Sequence, residues 1–284
     1  MDALLAAAEA AARAGGHVLA DRAGRLGAVR TKSSAVDMVT DVDIAAGVAV
    51  VESILAIDPS ARVIVEEPEV YGLTGVAQGE LGDPEVWVID PIDGTTSYIH
   101  GYPCYSVSVA CLRDGRPVAG AVYNASRDEM NSAAEGLGAK LDGTPMRVGS
   151  AATIPEALLV TGFPYDRTVT LDRQLAIFTR MIRVVHGIRR DGSAAIDLTL
   201  VASGRADGFW ELALKPWDMA AGVIILREAG AVITDLSGAD WTPESTDVVA
   251  ANPRLHTEML KLIAEASASA KREQHVGHRR RSGV

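Results

Sequence analysis

Short Val-rich segments alternate with longer stretches of helical periodicity along this 284-residue chain. The extended segments, bounded by Gly, Pro and Asp, predict strands at 62–65, 86–90, 104–112, 118–123, 158–161, 206–209, 231–234 and 247–250. Apolar residues at helical spacing predict helices at 3–21, 41–57, 171–182, 193–202, 217–229 and 253–266. This alternation predicts a mixed α/β fold.

The two halves of the chain have no Pro- or Ser-rich linker between them, and no repeat is visible. We predict a soft boundary near residue 150, with 1–150 as an N-terminal α+β half and 151–270 as a C-terminal α/β half. The basic end, 271–284, has little apolar content and is predicted to be disordered.

The net charge of −10 limits the classes of partner. Because the last fourteen residues are basic, the body of the chain is more acidic than this figure, which argues against a nucleic-acid surface. No uninterrupted apolar stretch has the length of a membrane span. The two cysteines, Cys104 and Cys111, are expected on opposite faces of one strand, and both reduced, which with the absence of a secretion signal predicts a cytoplasmic protein.

Two acids follow the apolar segment that begins at Trp87 and form the sequence Asp90-Pro91-Ile92-Asp93. Proline at the second position predicts a turn, which would bring the first and fourth Cα atoms within about 7 Å of each other. Two neighbouring carboxylates either share a proton or are neutralised by cations, and oxygen ligands suit Mg²⁺. An ordinary Asp-Pro loop is the alternative.

Gly94-Thr95-Thr96 comes directly after this acid pair and offers backbone N–H groups that suit a phosphate. Further acids lie at three places: Glu66 and Glu67 after a strand, Asp218 at the start of a helix, and Asp37, Asp41 and Asp43 around another helix start. Surface exposure of the Glu pair and simple helix capping by the Asp residues explain these acids equally well.

Taken in order, these motifs resemble the inositol monophosphatase family, magnesium-dependent and lithium-sensitive phosphatases of small phosphomonoesters. The resemblance covers most of the chain and rests on the following segments: Asp37 to Asp43, Glu66-Glu67, Trp87 to Thr96, His100 to Pro103, and Trp217-Asp218 through Ala231. It implies a layered α-β-α-β-α fold of the inositol monophosphatase and fructose-1,6-bisphosphatase type, usually as a homodimer.

The resemblance also implies a set of metal ligands. One Mg²⁺ would be held by Glu66, Asp90 and the Ile92 carbonyl, and a second by Asp90, Asp93 and Asp218. A third, weaker ion would lie near Glu66 and Glu67. In the implied catalytic set, Thr95 and Asp43 would orient or deprotonate the attacking water, and Thr40 would support this pair. Glu66 also belongs to the catalytic set.

The substrate-binding residues implied by the resemblance are Asp93, Gly94, Thr95, Gly192, Ser193, Ala194, Glu211 and Asp218. The implied partner is a small phosphomonoester, with myo-inositol monophosphate first, hydrolysed to inositol and phosphate. Histidinol phosphate, fructose 1,6-bisphosphate and a phosphoadenosine nucleotide are alternative substrates. The chain departs from the family at Val65, usually Gly, and at Ser97, commonly Asn; Lys32 resembles a family lysine near the metals.

Two rival functions are weighed against this hypothesis. One phosphatase class uses an aspartyl nucleophile with a second acid two residues later, but the spacing from Asp90 to Asp93 is three. The other rival is a metal-binding regulatory protein that keeps the fold without catalysis. The full set of acids argues against this rival. Since His100 and His186 show no zinc-like clustering, no histidine is predicted as a metal ligand.

Overall fold

The computed structural model describes residues 1–25, 29–31, 38–165 and 169–281. Its helices are α1 Asp2–Arg22, α2 Asp41–Leu55, α3 Glu69–Thr74, α4 Thr95–His100, α5 Val169–Ile182, α6 Ala194–Ala202, α7 Pro216–Glu228 and α8 Pro253–Arg281. Its strands are β1 Val29–Thr31, β2 Met38–Thr40, β3 Arg62–Val65, β4 Ala77–Gln78, β5 Val86–Asp93, β6 Ser106–Arg113, β7 Arg116–Asn124, β8 Glu129–Ala134, β9 Gly138–Leu141, β10 Thr144–Pro145, β11 Leu158–Thr161, β12 Gly187–Arg189, β13 Gly208–Leu212, β14 Val232–Thr234 and β15 Asp247–Ala251.

Two large sheets organise these elements. The first has eight strands in the order β10-β9-β8-β7-β6-β5-β3-β4, and the second has five in the order β12-β11-β13-β15-β14. Strands β3, β4 and β5 run parallel, as do β11, β12 and β13, whereas the remaining neighbours within the two sheets are antiparallel. A small pair, β1 and β2, lies apart from both sheets in the hydrogen-bond pattern.

Helices fill the three layers around the two sheets. The first layer is α1 with α2, which pack on one face of the eight-stranded sheet. The second is α6 with α7, between the two sheets, and the third is α5 with α8, on the outer face of the five-stranded sheet. The mixed α/β prediction and the α-β-α-β-α layering are therefore confirmed.

Each layer has its own apolar core, and the alternation along β5 shows how the sequence builds two of them. Trp87 and Ile89 face the α1–α2 layer, while Val86 and Val88 face the α6–α7 layer. A strand covered on both faces is expected to be apolar throughout, as β5 is until Asp90. The acids at its carboxyl end consequently emerge from a fully buried strand.

Several predicted boundaries differ from the structure. Strand β6 begins at Ser106, so Cys104 precedes it, and the argument that placed both cysteines in one strand was wrong. Both thiols are buried and free, as expected, and burial raises the pKa of Cys111 to about 12. Strand β5 continues to Asp93 instead of ending at Asp90.

The last helix, α8, continues to Arg281, where the sequence predicts an end near 266 and disorder after 270. The run from 264 to 276 consists largely of good helix formers and has neither Gly nor Pro, which explains the longer helix. The division into halves near residue 150 stays a prediction. Among the described residues, no helix has both the length and the apolar content needed to cross a membrane.

Candidate active site

Two parallel strands of the eight-stranded sheet, β3 and β5, end side by side and bring the first acids together. Val65 pairs with Ile89, and the Glu66 N–H donates to the Ile89 carbonyl at 3.2 Å. Because parallel strands end at the same edge, Glu66 follows β3 next to the point where Asp90 follows the apolar run of β5. The two carboxyl groups interact, because the charge of Glu66 and a hydrogen bond with it both raise the pKa of Asp90.

A bulge in β5 places Asp90 and Asp93 on the same face of the sheet. Asp90 pairs with Ser108 and Asp93 with Ser106, so three steps on β5 match two steps on β6. In a regular strand an offset of three would put the two side chains on opposite faces. The predicted turn at this point is therefore a bulged strand, and Pro91, which cannot donate to the ladder, lies within the irregular part.

The first turn of α7 supplies the fourth acid. Asp218 Oδ2 accepts the Lys215 N–H at 2.7 Å, so the capping role considered from the sequence is real. The Ser108 hydroxyl donates to the Trp217 carbonyl at 3.0 Å and fixes the start of α7 on the eight-stranded sheet. Asp218 lines the same cleft as three other acids, and we call the set Glu66, Asp90, Asp93 and Asp218 the acidic wall.

The acidic wall is strained electrostatically. Burial, followed by the charges of Glu66, Asp93 and Asp218, raises the pKa of Asp90 well above its usual range. Burial and the neighbouring acids likewise raise the pKa of Asp218. For Asp93, burial raises the pKa to about 6, although hydrogen bonds from Ser193, Ala195 and Ala194 oppose the rise. Ser193 Oγ and the Ala195 N–H both donate to Asp93 Oδ2 at 2.6 Å. Positive charge in the cleft would relieve this repulsion.

This donor set fits hard divalent cations. The acidic wall offers carboxylate oxygens, and the Ile92 carbonyl lines the same cleft, which is the oxygen chemistry that Mg²⁺ prefers. Within the described ranges, no three His, Cys, Asp or Glu side chains are already arranged as a ligand set around one point. The four carboxylates line one cleft, where a divalent cation would offset their mutual repulsion.

Thr95 and Asp43 form a hydrogen-bonded pair beside the acidic wall. Thr95 Oγ1 lies 3.0 Å from Asp43 Oδ1 and 3.0 Å from the Ile92 carbonyl. The other Asp43 oxygen, Oδ2, accepts the Thr40 N–H at 2.7 Å and the Thr40 hydroxyl at 2.6 Å, which closes a capping box on α2. Asp43 therefore both caps a helix and holds Thr95.

Gly94 sits between the bulge and α4 in a left-handed conformation with φ of 97°. A Cβ at this position would lie 2.8 Å from the Cys104 carbonyl, so the backbone conformation and the space both require glycine. The first N–H groups of α4, which begins at Thr95, follow directly and have no partner within the helix.

The five-stranded sheet contributes the other side of the cleft. Its three parallel strands, β11, β12 and β13, end at one edge, where Gly162, Arg190 and Glu211 lie. Phe163 and Tyr165 follow Gly162, and we call these five residues the second wall. Burial, then the charge of Asp93, raises the pKa of Glu211 to about 8, while Arg190 opposes that shift. The cleft has about 620 Å³ of space, counting its open mouth.

Most residues singled out from the sequence meet in this cleft. Besides the acidic wall, it is lined by Ile92, Gly94, Thr95, Gly192, Ala194 and Glu211. Thr40 and Asp43 are buried behind Thr95, and Glu67 is buried beside β3 without lining the cleft. The Ser193 hydroxyl bonds to Asp93 and lies near Ser106, so it is used within the protein. Lys32 and Asp37 lie outside the described residues.

Sequence reasoning missed three residues of the second wall, Gly162, Phe163 and Tyr165. A signal for them was available, because the strand predicted at 158–161 ends directly before Gly162. Its parallel pairing with β13, which carries Glu211, was not readable from local pattern. The departures from the family are both buried: Val65 packs in the α1–α2 core, and Ser97 bonds to the Asp191 carbonyl at 3.4 Å.

Comparison with known proteins gives relatives along nearly the whole chain. A Neisseria meningitidis protein named putative Nus factor SuhB is 41% identical over 265 residues, which cover 93% of this chain and 99% of the relative. A Synechocystis protein named inositol-1-monophosphatase is 39% identical over 241 residues, 85% of this chain and 82% of the relative.

Solved structures share the fold. The Thermotoga maritima IMPase superposes with a TM-score of 0.84 at 32% identity, covering 95% of this chain and 100% of that one. The inositol monophosphatase from Anabaena gives 0.81 at 34% identity, covering 93% and 96%. The family model of the inositol monophosphatases matches residues 1–270. The chain therefore belongs to the inositol monophosphatase family.

Proposed function

We propose that this protein is a Mg²⁺-dependent phosphomonoesterase that hydrolyses a small polyol or sugar phosphate, with myo-inositol monophosphate as the first candidate. The observation that carries the proposal is the meeting of the acidic wall and the Thr95–Asp43 pair in one cleft. Membership of the inositol monophosphatase family supports phosphatase activity in general. The choice of inositol monophosphate as the first substrate is based on the residues of the cleft and on the family resemblance.

In this proposal Glu66, Asp90 and the Ile92 carbonyl hold one Mg²⁺, and Asp90, Asp93 and Asp218 hold the second. Glu67, buried next to Glu66, would contribute to a third and weaker ion through the surrounding charge. When bound, such ions neutralise the carboxylates and the ester phosphate and make water more acidic. The phosphate would approach the N–H groups of Gly94 and Thr95 at the start of α4.

The proton chemistry falls to Thr95 and Asp43. With the Thr95 hydroxyl donating to Asp43 Oδ1, its oxygen can accept a hydrogen bond from an attacking water. Asp43 can then take the proton, since the two Thr40 donors hold its other oxygen in place. Positioning and electrostatics are expected to dominate, because phosphoryl transfer leaves little covalent chemistry to the protein.

The remaining substrate contacts would come from Gly192, Ala194 and Glu211, with Asp93 and Asp218 shared between metal and substrate. Glu211 is the group suited to hydroxyls, since a carboxylate accepts from two neighbouring hydroxyl groups. Histidinol phosphate, fructose 1,6-bisphosphate and a phosphoadenosine nucleotide remain alternative substrates. A homodimer, a cytoplasmic location and sensitivity to Li⁺ complete the proposal, all three on the resemblance.

The proposal is tested by phosphate release from a panel of phosphomonoesters by the purified full chain. Each substrate is measured with millimolar Mg²⁺, after chelation, after Mg²⁺ is restored, and with Li⁺ added. We expect release only with Mg²⁺, fastest with inositol monophosphate, and inhibition by Li⁺. A different preferred substrate would change the substrate assignment alone, whereas release that survives chelation would contradict the metal-dependent mechanism.

A second candidate is a regulatory protein that binds metal without catalysis, and the names of some relatives point to a role other than hydrolysis. The Neisseria meningitidis relative is named putative Nus factor SuhB, and a Pasteurella multocida relative, 39% identical, is named Nus factor SuhB. Calorimetric Mg²⁺ binding without phosphate release from any substrate of the panel would support this candidate over catalysis.

A further inference from the structure

The carboxylate of Glu211 lies directly across the backbone of Gly162. If a Cβ is built at Gly162, its three nearest atoms are the two oxygens and the carboxyl carbon of Glu211, all far inside van der Waals contact. The near-equal approach of all three atoms means that the flat face of the carboxylate covers the glycine. The space that a side chain at 162 would need is therefore already taken by Glu211.

This need for glycine does not come from the backbone conformation. Gly162 is absent from the glycines with positive φ, so an L side chain would be allowed there on conformational grounds. Its requirement is one of space alone. In contrast, Gly94 needs glycine for its left-handed φ as well.

The backbones of both residues are held in place, so relief of a clash at 162 falls to the Glu211 side chain. Thr161 and Trp210 are paired in the parallel ladder of β11 and β13, so Gly162 and Glu211 are each one residue beyond that pair. The fully buried Gln174 of α5 ties both strands together. Its Nε2 donates to the Gly162 carbonyl at 2.5 Å and to Thr161 Oγ1 at 2.8 Å, and its Oε1 accepts the Trp210 indole N–H at 3.1 Å.

The Glu211 oxygens remain available to a ligand. Glu211 lines the cleft and is only 8% exposed, and no hydrogen-bond donor from the described part of the chain reaches its carboxylate. Since the carboxylate lines the open cleft, a ligand or water can donate to its oxygens there. Substrate hydroxyl groups have the right chemistry.

We propose that Gly162 is a specificity-positioning residue: the missing side chain lets the Glu211 carboxylate lie across the β11 end and face the cleft, where it selects phosphomonoesters with hydroxyl groups beside the ester. This inference rests on the proposed function and deepens it. Any larger residue at 162 displaces the carboxylate, and the enzyme then loses its preference for polyol phosphates while the acidic wall is untouched.

The activity test compares wild type, Gly162→Ala, Glu211→Ala and the double variant on myo-inositol 1-phosphate and on p-nitrophenyl phosphate, which has no hydroxyl groups. Gly162→Ala should lower kcat/KM for the inositol substrate by roughly tenfold or more, mainly through KM, as expected for the loss of one or two hydrogen bonds to the substrate. Its kcat on p-nitrophenyl phosphate should stay within about twofold of wild type, in line with a change confined to substrate hydroxyls. The double variant should be no worse than Glu211→Ala.

Gly187→Ala is the matched control. Gly187 lies in β12 of the same sheet, and a Cβ there would have ordinary contacts at 3.5 Å. This variant should keep the wild-type ranking of the two substrates. An unchanged ranking in an active Gly162→Ala enzyme would overturn the inference.

A thermal-unfolding cycle on the same four proteins tests the contact without any substrate. Gly162→Ala should lower the melting temperature in the wild-type background and lower it much less in the Glu211→Ala background, because the steric partner is gone. Should Gly162→Ala fail to fold, the double variant is expected to fold. Equal destabilisation by Gly162→Ala in both backgrounds would show that Glu211 does not lie against Gly162. A wild type that is inactive on every substrate would overturn the proposed function and, with it, the specificity role of Gly162.

Discussion

The two walls of the cleft are both built largely from the ends of parallel strands, but they differ in the number of charged side chains. Each lies at the carboxyl ends of parallel strands, β3 with β5 in one sheet and β11 with β12 and β13 in the other. The acidic wall concentrates four carboxylates, while the second wall has one carboxylate, one Arg and two aromatic rings. Under the proposed function, this difference would separate a side that binds metal and phosphate from a side that recognises the rest of the substrate.

Breaking the acidic wall should give the largest effect. Asp90→Asn removes the carboxylate assigned to both metal sites, so we expect kcat to fall by about a thousandfold or more, as when charge-stabilising groups are lost elsewhere. Circular dichroism should show the fold retained, because the substitution keeps the shape of the side chain. Near-wild-type kcat in this variant would remove the proposed mechanism.

The Thr95–Asp43 pair lies beside the acidic wall, and Thr95→Ala should have the next largest effect. We expect kcat to fall by roughly 10²-fold, the usual size of one general acid–base contribution, with little change in KM. Thr95→Ser keeps the hydroxyl that donates to Asp43 and is the matched control. If Thr95→Ser loses as much as Thr95→Ala, the hydroxyl is not the group that matters.

Substitutions in the second wall should change substrate preference without slowing the hydrolysis step itself. Glu211→Gln retains the size of the side chain and replaces one carboxyl oxygen with an amide NH₂ group, so kcat/KM for inositol monophosphate should fall by about tenfold relative to a phosphomonoester without hydroxyls. The measurement is the ratio of kcat/KM between these two substrates. An equal loss of kcat/KM on both substrates would mean that Glu211 acts in hydrolysis itself, like the acidic wall. The proposed difference between the two walls would then be wrong.

A site outside both walls should give the smallest effect, on stability alone. His256 is buried and shares a 2.9 Å hydrogen bond with Thr234, and burial lowers its pKa below the ordinary 6.5. Because the folded state disfavours the charged ring, protonation of His256 lowers the stability of the protein. The contribution of His256 to the free energy of unfolding is therefore complete above pH 6.5. It is lost as the pH falls from 6.5 through the lower pKa of the folded state. His256→Gln should flatten this part of the melting-temperature profile relative to wild type.

The predictability of the two walls from sequence also differs. Glu66, Asp90 and Asp218 were found because acids at strand ends and helix starts are visible locally. Their convergence came only from the family resemblance, since the parallel pairing of β3 and β5 is a long-range property. The bulge that puts Asp90 and Asp93 on one face was mistaken for a turn, because proline and aspartate suit both.

Local pattern failed where secondary structure depends on neighbours. Strand β8, Glu129–Ala134, lacks the β-branched residues of a typical strand and forms because β7 and β9 pair with it on both sides. The end of the predicted strand at 161 points to the position of Gly162, but its role appears only once Glu211 is seen to lie across it. Most helices and core strands, in contrast, were predicted within a few residues, because their apolar periodicity is strong.

Calorimetric titration with Mg²⁺ of the wild type and of Asp90→Asn, in the presence of inorganic phosphate, tests the central claim most directly. Since the proposed function assigns Asp90 to both Mg²⁺ sites, the account predicts at least two bound Mg²⁺ per wild-type chain and loss or marked weakening of both in the variant. Identical isotherms for the two proteins, or no Mg²⁺ binding by either, would contradict it.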